Sequence, residues 1–458
     1  MKDSSAAPQE PYVVEQARLS SWMKSNNNNI VTEDLRGTFK DNMKAPIHRW
    51  FRYSAGFSYN LVEEVFRKYK IGRGSIVLDP FAGVGTTCVS SKKLQVESIG
   101  KEAHPLVAWI AQVKIRWDFD FSMLKKTIDQ ILFESSMVIA EAPAIDTTRK
   151  PKLLQNSFSE QKLSQLYALK EYLIKISDEK VRDLCILALL STLRKVSKAH
   201  TGWPYILPKK ERKNVPELFP TFQTQLKSMV FDLETVTNKD NKNTAAKIVC
   251  GDARELSKYV QKPIGFAFTS PPYLNNFDFA DRTRLELYFL SPIRLGDVSF
   301  NISTWNDVTR HIRQKLLVNV THQAVEIGLK EGLQPNSEIV SSVREKLIEI
   351  AIKLREEKSL HGGHKDYDIM IVAYFNDMWK TFKEVYDVMK NGSHYLLILG
   401  DSAPYGIHVP TDVFLAEVAC GIGFSSYKIL DLRTRGDKWV SAPKHRVPLK
   451  ESMIILKK

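Results

Sequence analysis

Short apolar runs alternate with amphipathic segments along this chain, and each run ends at a polar, glycine-rich or proline-rich turn. Runs of this length are typical of buried strands. They cover 75–79, 97–102, 246–250, 264–269 and 395–400, with helix patterns at 61–66, 86–93 and 374–389. Strands that alternate with helices predict a mostly parallel, doubly wound α/β sheet. The runs 427–432 and 452–456 bracket a basic loop and predict an antiparallel hairpin at the sheet edge.

Two long segments interrupt this alternation and set the domain organisation. The first, 121–243, contains two strong helix patterns, and the second, 291–366, is typical of two amphipathic helices around Pro335. Residues 1–40 are polar without a sustained period, which predicts a flexible N-terminal arm. We therefore expect two mainly helical inserts in a catalytic domain that is assembled from 41–120, 244–290 and 367–458.

Composition narrows the class of partner. The 458 residues include 66 Lys plus Arg against 52 Asp plus Glu, a formal charge of +14, which favours a polyanion such as nucleic acid. The four cysteines lie far apart without zinc-ligand spacing, as expected for thiols of a reducing compartment. There is no signal-peptide pattern, and the longest apolar run, 184–190, is too short to cross a membrane. The sequence thus predicts a cytoplasmic protein with no membrane partner.

A glycine-rich turn follows the first strand of the sheet and opens a helix, where doubly wound sheets bind their ligands. Gly83 and Gly85 permit a tight turn and a close approach to a ligand, and Thr86 or Thr87 can cap the helix. Cys88 stands where a dinucleotide fingerprint would have its third glycine, and no Gly-Lys-Ser/Thr follows. The turn therefore disfavours a ligand with phosphates.

Two carboxylates complete a candidate nucleoside site. Glu102 ends the next strand, 17 residues beyond Gly85 (102 − 85), where a carboxylate can accept hydrogen bonds from both ribose hydroxyls. Asp252 ends a third strand and either accepts a hydrogen bond from an adenine amino group or caps a helix. Together with the turn, they indicate an adenosine site without phosphate contacts.

The turn Ser270-Pro271-Pro272-Tyr273 has the features of a second site. Two prolines fix the backbone and remove two N–H donors, so that nearby carbonyls become rigid acceptors. Such a turn suits the amino group of a base, whose lone pair is delocalised into the ring. Hydrogen bonds to the Ser270 hydroxyl and the Pro271 carbonyl would free that lone pair to attack a sulfonium methyl group. Tyr273 can stack on a base flipped out of a duplex.

These motifs resemble the DNA amino-methyltransferases over about 200 residues in pieces, and the inserts are not covered. The resemblance implies a Rossmann-like class I methyltransferase sheet and S-adenosyl-L-methionine as cofactor. The catalytic motif is Thr269-Ser-Pro-Pro-Tyr273. The residues implied to bind the cofactor are Phe57, Ser58, Asp79, Pro80, Phe81, Gly83, Gly85, Thr86, Glu102, Asp252, Ala253 and Thr269.

The first residue of the catalytic motif bears on the target base. Serine at this position is commoner in the N4-cytosine group, whereas Asp or Asn marks most N6-adenine enzymes, so Ser270 favours cytosine. The cofactor motif comes first here, 191 residues before the catalytic one (270 − 79), unlike in many serine-type enzymes. This order leaves open where the DNA sequence is read, and we expect one or both inserts to do so.

Two basic segments are candidate DNA contacts. The first insert interleaves cations with aromatic side chains, and the loop between the hairpin strands carries further cations. Either segment could instead be a solvated basic loop. The candidate residues are Lys198, Trp203, Tyr205, Lys209, Lys210, Arg435, Lys438, Lys444 and Arg446.

The sequence thus predicts a site-specific methyltransferase of double-stranded DNA, acting on N4 of a flipped-out cytosine in a restriction-modification or related defence setting. A matching endonuclease would be a functional rather than a physical partner. An N6-adenine enzyme, an RNA base methyltransferase and an inactive DNA-binding subunit remain alternatives. His361 and His364 lack a third ligand, so no metal is expected. No Pro-Cys dipeptide supplies a thiolate for C5 methylation.

Overall fold

The molecule is described by a computed structural model over most of its length. The described residues are 16–18, 41–53, 56–200, 207–291, 293–295, 298–300, 305–360, 362–363, 365–435 and 449–458.

An eight-stranded sheet forms the centre of the molecule. Its strands are β1 (Gln16–Arg18), β2 (Ile76–Asp79), β3 (Glu97–Glu102), β4 (Ala246–Cys250), β5 (Ile264–Thr269), β6 (Met389–Gly400), β7 (Ser426–Arg435) and β8 (Leu449–Lys457). Their spatial order is β1-β7-β8-β6-β5-β2-β3-β4, and β8 alone runs antiparallel to its two neighbours. The predicted mostly parallel α/β sheet with an antiparallel C-terminal hairpin is confirmed.

Helices cover both faces of the sheet and build the inserts. In chain order they are α1 (Tyr59–Lys68), α2 (Thr86–Lys93), α3 (Pro105–Lys114), α4 (Phe121–Ala140), α5 (Lys152–Ser157), α6 (Glu160–Leu173), α7 (Glu179–Leu193), α8 (Leu218–Val236), α9 (Phe279–Arg282), α10 (Arg284–Leu290), α11 (Trp305–Lys315), α12 (Thr321–Glu326), α13 (Ser341–Leu360), α14 (Tyr367–Val388) and α15 (Thr411–Ile422). Two short hairpins pair Ala199–His200 with Leu207–Glu211 and Ile293–Leu295 with Val298–Phe300.

The alternation of side chains along each strand divides the interior into separate cores. Leu396 and Ile398 of β6 pack with α1 on one face, while Tyr395 and Leu397 pack with α13, α14 and α15 on the other. Because both faces are covered by helices, the central strands are apolar on both sides, as parallel sheets require. The sheet is therefore a rigid platform for the loops at its carboxyl edge.

The first insert shares a third hydrophobic core with helices α2 and α3 beside the sheet. Its helices α4 to α8 pack with α3 and with residues 47–53. Asp232 of α8 is fully buried and accepts hydrogen bonds from the Ile47 amide and the Trp50 indole, each at 3.0 Å, and from Arg49. These bonds fix the segment before α1 to the insert.

The inserts contain more structure than their patterns predict. The first insert holds five helices rather than two, and α11 and α12 lie ahead of Pro335 where one helix was expected. Short helices such as α5 and α12 lack the two full turns that a periodic pattern needs. Residues 16–18, within the predicted arm, form β1 and pair with Ile429 to Asp431 of β7.

Close packing requires glycine at position 100 of β3, beneath the glycine-rich turn that follows β2. This turn, which contains the predicted cofactor motif, is called the cofactor turn below. A Cβ at this position would lie 2.5 Å from Ile248 Cδ1, 2.8 Å from Ala82 Cβ and 3.0 Å from Cys88 Sγ. Gly100→Ala is therefore expected to destabilise the fold by about 1–3 kcal/mol in urea unfolding. Gly72→Ala is the matched control, because a Cβ there meets no atom within 4 Å. Equal stability of the two variants would contradict this packing.

Candidate active site

A cavity of about 580 Å³ opens at the carboxyl ends of β2, β3 and β5. This volume lies in the usual range for small-molecule sites. Both predicted motifs contribute to its walls. The predicted residues that line it are Phe57, Pro80, Phe81, Gly83, Thr86, Glu102, Asp252, Ala253, Ser270, Pro271, Pro272 and Tyr273. The structure therefore brings the two predicted sites, 191 residues apart in sequence, into one cavity.

The cofactor turn has the backbone that its glycines predict. Gly83 and Gly85 have φ values of +52° and +84°, in the left-handed region, and the Ala82 amide donates to the Lys101 carbonyl of β3 at 2.8 Å. The predicted cap of α2 is wrong: Gly85 is the N-cap, and no side chain caps the helix. Because glycine has no side chain, the helix entrance lacks a side-chain acceptor. Amide groups at this end are thus available to a ligand.

Glu102 is held by the turn that it faces. Its two carboxylate oxygens accept hydrogen bonds from the Gly83 amide at 2.9 Å and the His104 amide at 2.8 Å. Desolvation raises the pKa of Glu102 to about 7 despite these bonds. A carboxylate fixed in this way can still accept further hydrogen bonds, since each oxygen has a second lone pair.

Asp79 and Thr269 lie just behind the cavity wall. The Thr269 hydroxyl donates to Asp79 Oδ1 at 2.5 Å, and the Phe81 amide donates to the same oxygen at 3.1 Å. Burial raises the pKa of Asp79 to about 6. This pair joins the end of β2 to the end of β5, so it sets the spacing between the cofactor turn and the catalytic turn.

Asp252 has one of the two roles that the sequence left open, that of a helix cap, and its hydrogen bond with adenine stays a prediction. It is the N-cap of a 3₁₀ helix, Ala253–Lys258, and its side chain also lines the cavity. Arg254 binds both of its carboxylate oxygens and also contacts Asp377 of α14 at 2.8 Å. The carboxylate is therefore fixed in orientation at the cavity wall.

The segment before α1 contributes Phe57 to the cavity wall. Asn42 is fully buried, donates to the Phe57 carbonyl at 3.0 Å and accepts from the Tyr59 amide at 2.9 Å. Ser58 is buried and donates to Asp41 at 3.1 Å, so its hydroxyl does not line the cavity. Asn42 was missed by sequence reasoning because it lies outside every periodic segment.

Two hydrogen bonds anchor the turn Ser270–Tyr273, which contains the predicted catalytic motif and is called the catalytic turn. The buried Tyr374 hydroxyl of α14 donates to the Pro272 carbonyl at 2.9 Å, whereas Ser270 and Pro271 line the cavity. The Tyr273 hydroxyl donates to Glu451 of β8 at 2.8 Å. The Pro272 carbonyl is therefore occupied by the Tyr374 hydroxyl, whereas Ser270 and Pro271 are exposed to the cavity.

Loss of the Tyr374 anchor is expected to leave the Pro272 carbonyl unsatisfied. Tyr374→Phe should cost about 1–3 kcal/mol of stability in urea unfolding. Tyr395→Phe is the matched control: this tyrosine is equally buried in the same core, and its hydroxyl has no hydrogen-bond partner among the described residues. The control should lose no stability, so an equal loss in both variants would refute the anchoring role.

The second insert orders the chain that follows the catalytic turn. Arg313 pairs with Asp278 at 2.5 Å, and Asn319 donates to the Phe277 carbonyl at 3.0 Å. Burial would raise the pKa of Asp278, but hydrogen bonds from His322 and Arg313 outweigh it and hold this pKa well below its usual range. The insert thus has a structural role at the site that its amphipathic pattern did not reveal.

Several cavity residues were not predicted, because nothing in the local pattern marks them. Aromatic side chains from distant segments meet there, with Phe277 and Phe279 at 4.8 Å between ring centroids and Tyr53 at 6.4 Å from Phe279. The charged side chains in the lining that were missed are Arg52, Lys315 and Glu451, whereas Arg433 begins the basic hairpin loop that was predicted to contact DNA.

The predicted DNA-contact residues are mostly beyond what the structure describes. Lys198 lies 3.5 Å from Glu211. The residues outside the described part are Trp203, Tyr205, Lys438, Lys444 and Arg446, and only the backbone is described for Lys209, Lys210 and Arg435. Their role in DNA binding stays a prediction.

Neither a metal cluster nor a membrane helix is present in the described part of the chain. No group of three or more His, Cys, Asp or Glu side chains there could hold a metal ion. No helix in this part combines the length and apolar character needed to cross a bilayer.

Comparisons with known proteins place the chain near DNA methylases. Residues 4–112 match the N6/N4 DNA methylase family. The chain is 23% identical to type II methyltransferase M.BsoBI of Geobacillus stearothermophilus, covering 92% of this chain and 87% of that protein. It is 25% identical to M.AvaI of Nostoc sp. (87% and 83% covered) and 23% identical to M.MvaI of Kocuria varians (95% and 91% covered). These matches support DNA amino-methylation and do not distinguish N4 from N6.

Proposed function

We propose that this protein is a type II DNA methyltransferase that transfers a methyl group from S-adenosylmethionine to N4 of cytosine. The observation that carries the proposal is the shared cavity, in which the Ser270-Pro271 acceptors and the Glu102 carboxylate line one space. A methyl donor and a methyl acceptor must meet within such a space for direct transfer. Similarity to type II methyltransferases over most of the chain supports the DNA substrate.

The cavity residues fit an adenosine-containing cofactor. Glu102 would accept hydrogen bonds from the ribose hydroxyls, and Asp252 would accept one from the adenine amino group. The glycine turn has room for a ligand at Gly83, where a Cβ would meet only Tyr53, at 3.6 Å. When bound, S-adenosylmethionine supplies an electrophilic methyl group on a positively charged sulfur.

The catalytic turn would activate the target amino group. The Ser270 hydroxyl and the Pro271 carbonyl would accept hydrogen bonds from its two N–H groups, which draws the nitrogen lone pair out of the ring and aims it at the methyl group. Tyr273 would hold the flipped base by stacking. Transfer would form one N–C bond as the S–C bond of the donor breaks, the sulfur would leave with the electron pair as the thioether S-adenosylhomocysteine, and the amino nitrogen would release one proton to solvent.

Cytosine N4 is proposed on the identity of the first catalytic residue. Ser270 offers a neutral hydroxyl at this position. Serine is the residue commoner in the N4-cytosine group, whereas most N6-adenine enzymes carry Asp or Asn at the same position. The cationic segments around Lys198, Lys209 and Lys210, and after Arg433, are proposed to hold the DNA backbone. A matching restriction endonuclease is the expected functional partner.

Transfer of a labelled methyl group tests the substrate class. Purified protein is incubated with labelled S-adenosylmethionine and either unmethylated genomic DNA or total RNA, with Ser270→Ala protein as the control. We expect label in DNA only, and only with the unmodified protein. Label in RNA instead would move the proposal to an RNA methyltransferase, and no label despite cofactor binding would indicate an inactive DNA-binding subunit.

A further inference from the structure

A charged pair lines the cavity beside Tyr273, the proposed stacking residue. Glu451 of β8 accepts hydrogen bonds from the Tyr273 hydroxyl at 2.8 Å and from Arg433 Nε at 2.6 Å. All three side chains line the same cavity as Ser270. The catalytic tyrosine is therefore connected to an arginine through one carboxylate.

The sheet fixes this pair in place. Arg433 and Glu451 are directly opposed residues of the antiparallel strands β7 and β8, next to a register irregularity at Asp431–Arg433. The Glu451 side chain is 3% exposed and that of Arg433 is 35% exposed. An almost buried carboxylate is stabilised by a cationic partner, so Glu451 and Arg433 hold each other in one arrangement. The guanidinium is thus preorganised at the cavity wall.

The donors of this guanidinium suit the edge of one base. Arg433 uses Nε for Glu451, and a guanidinium carries four further N–H donors on its two terminal nitrogens. Next to its amino group, cytosine presents two acceptors, N3 and O2, whereas adenine presents N1 and a C–H group. A donor fork satisfies both acceptors of cytosine and only one of adenine.

We propose that Arg433, held by Glu451, reads the N3 and O2 edge of the flipped cytosine and selects it over adenine. This inference rests on the proposed N4-cytosine function. Glu451 acts as a positioning residue, because it fixes Arg433 and the hydroxyl of the stacking residue Tyr273 at one carboxylate. Base selection then depends on β7 and β8 as well as on the catalytic turn.

The test compares Arg433→Met and Arg433→Lys with unmodified protein. Duplexes carry cytosine or adenine at the methylated position, mapped beforehand with the unmodified enzyme, and rates of N4-methylcytosine and N6-methyladenine formation are measured. Both variants should lose cytosine methylation about 10- to 100-fold, with a similar fall in the cytosine-to-adenine rate ratio. Arg433→Lys should not restore cytosine methylation, because lysine lacks the planar fork of donors. Arg73→Met, which removes one exposed charge outside the cavity lining, should behave like unmodified protein.

Two further measurements keep the result interpretable. Cofactor affinity should be unchanged in both Arg433 variants, which shows that they fold. Thermal stability should stay close to that of unmodified protein in Arg433→Lys, which keeps a cation beside Glu451, and should fall in Arg433→Met, which leaves this buried carboxylate unpaired. Glu451→Gln can still accept from Tyr273 but removes the ion pair, so its loss of discrimination should overlap with that of Arg433→Met rather than add to it.

Three outcomes would overturn the inference. The first is cytosine methylation by Arg433→Met within twofold of unmodified protein. The second is restored cytosine methylation in Arg433→Lys. The third is an unchanged cytosine-to-adenine rate ratio in the variants, together with a slope of log binding constant against log salt concentration that falls by about one. The last two describe a phosphate contact instead. Failure of the unmodified protein to form N4-methylcytosine would reject the proposed function itself, a separate result.

Discussion

Ser270→Ala is expected to lower the methylation rate by about 10²- to 10³-fold while cofactor affinity stays within twofold. The hydroxyl is proposed to accept a hydrogen bond from the amino group as the nitrogen becomes nucleophilic, and loss of one such electrostatic contact typically has this effect. Ser270 lines the cavity at the end of β5, while Glu102 and Gly83 belong to β3 and the turn after β2. Removal of the hydroxyl should therefore leave the cofactor walls intact.

Single-turnover methylation and calorimetric titration with S-adenosylmethionine separate the two effects. Tyr273→Ala should behave in the same way, because it removes the proposed stacking surface. An equal loss of rate and cofactor affinity in Ser270→Ala would show that the turn belongs to the cofactor site rather than the base site.

Glu102→Gln is expected to weaken cofactor binding by about 10²-fold. The variant loses the charge that strengthens each hydrogen bond to a ribose hydroxyl, and hydrogen bonds to charged groups contribute about 1.5–3 kcal/mol each. Because desolvation raises the pKa of Glu102 to about 7, the carboxyl becomes protonated as the pH falls through this value. Affinity of the unmodified protein should therefore fall between pH 8 and pH 6, and the Gln variant should lack this component.

The stability of this variant provides the control. A carboxyl whose folded-state pKa lies above its ordinary value of 4.5 destabilises the fold as the pH rises through that window. Glu102→Gln removes this destabilising charge, but one oxygen that accepts from the Gly83 or His104 amide becomes an NH2 donor, so the gain at pH 8 is offset by about 1–3 kcal/mol. Its stability should therefore change little while its cofactor affinity falls. Unchanged affinity, or a weaker affinity that still varies with pH between 8 and 6 as in unmodified protein, would contradict the ribose-binding role.

The sheet could be predicted because its strands are short, continuous apolar runs. Strands β4 and β5 and helix α2 have the predicted bounds, since each is bounded by a turn or a glycine in the sequence. The shared cavity follows from the same logic, because the carboxyl ends of adjacent parallel strands meet at one edge. The predicted residues that do not line it, Asp79, Gly85, Thr269 and Ser58, lie directly behind its walls or in the helix entrance.

The rest of the site depends on long-range packing that no local pattern encodes. Tyr374 reaches the Pro272 carbonyl from a helix about a hundred residues later, and Glu451 reaches Tyr273 from the last strand. Asn42 and Arg313 act through hydrogen bonds and ion pairs to residues of other segments. Such contacts arise from the three-dimensional arrangement of segments that are remote in sequence, and a single sequence gives no signal for them.

The identity of the methylated base tests the central proposal most directly. The protein is expressed in a host that lacks DNA methylation, the genomic DNA is digested to nucleosides, and the modified species are identified by mass spectrometry. We predict N4-methylcytosine, and none in a parallel culture that expresses Ser270→Ala. N6-methyladenine would contradict the assignment of Ser270 to cytosine while keeping the enzyme class, and unmodified DNA from an expressed, folded protein would contradict DNA methylation itself.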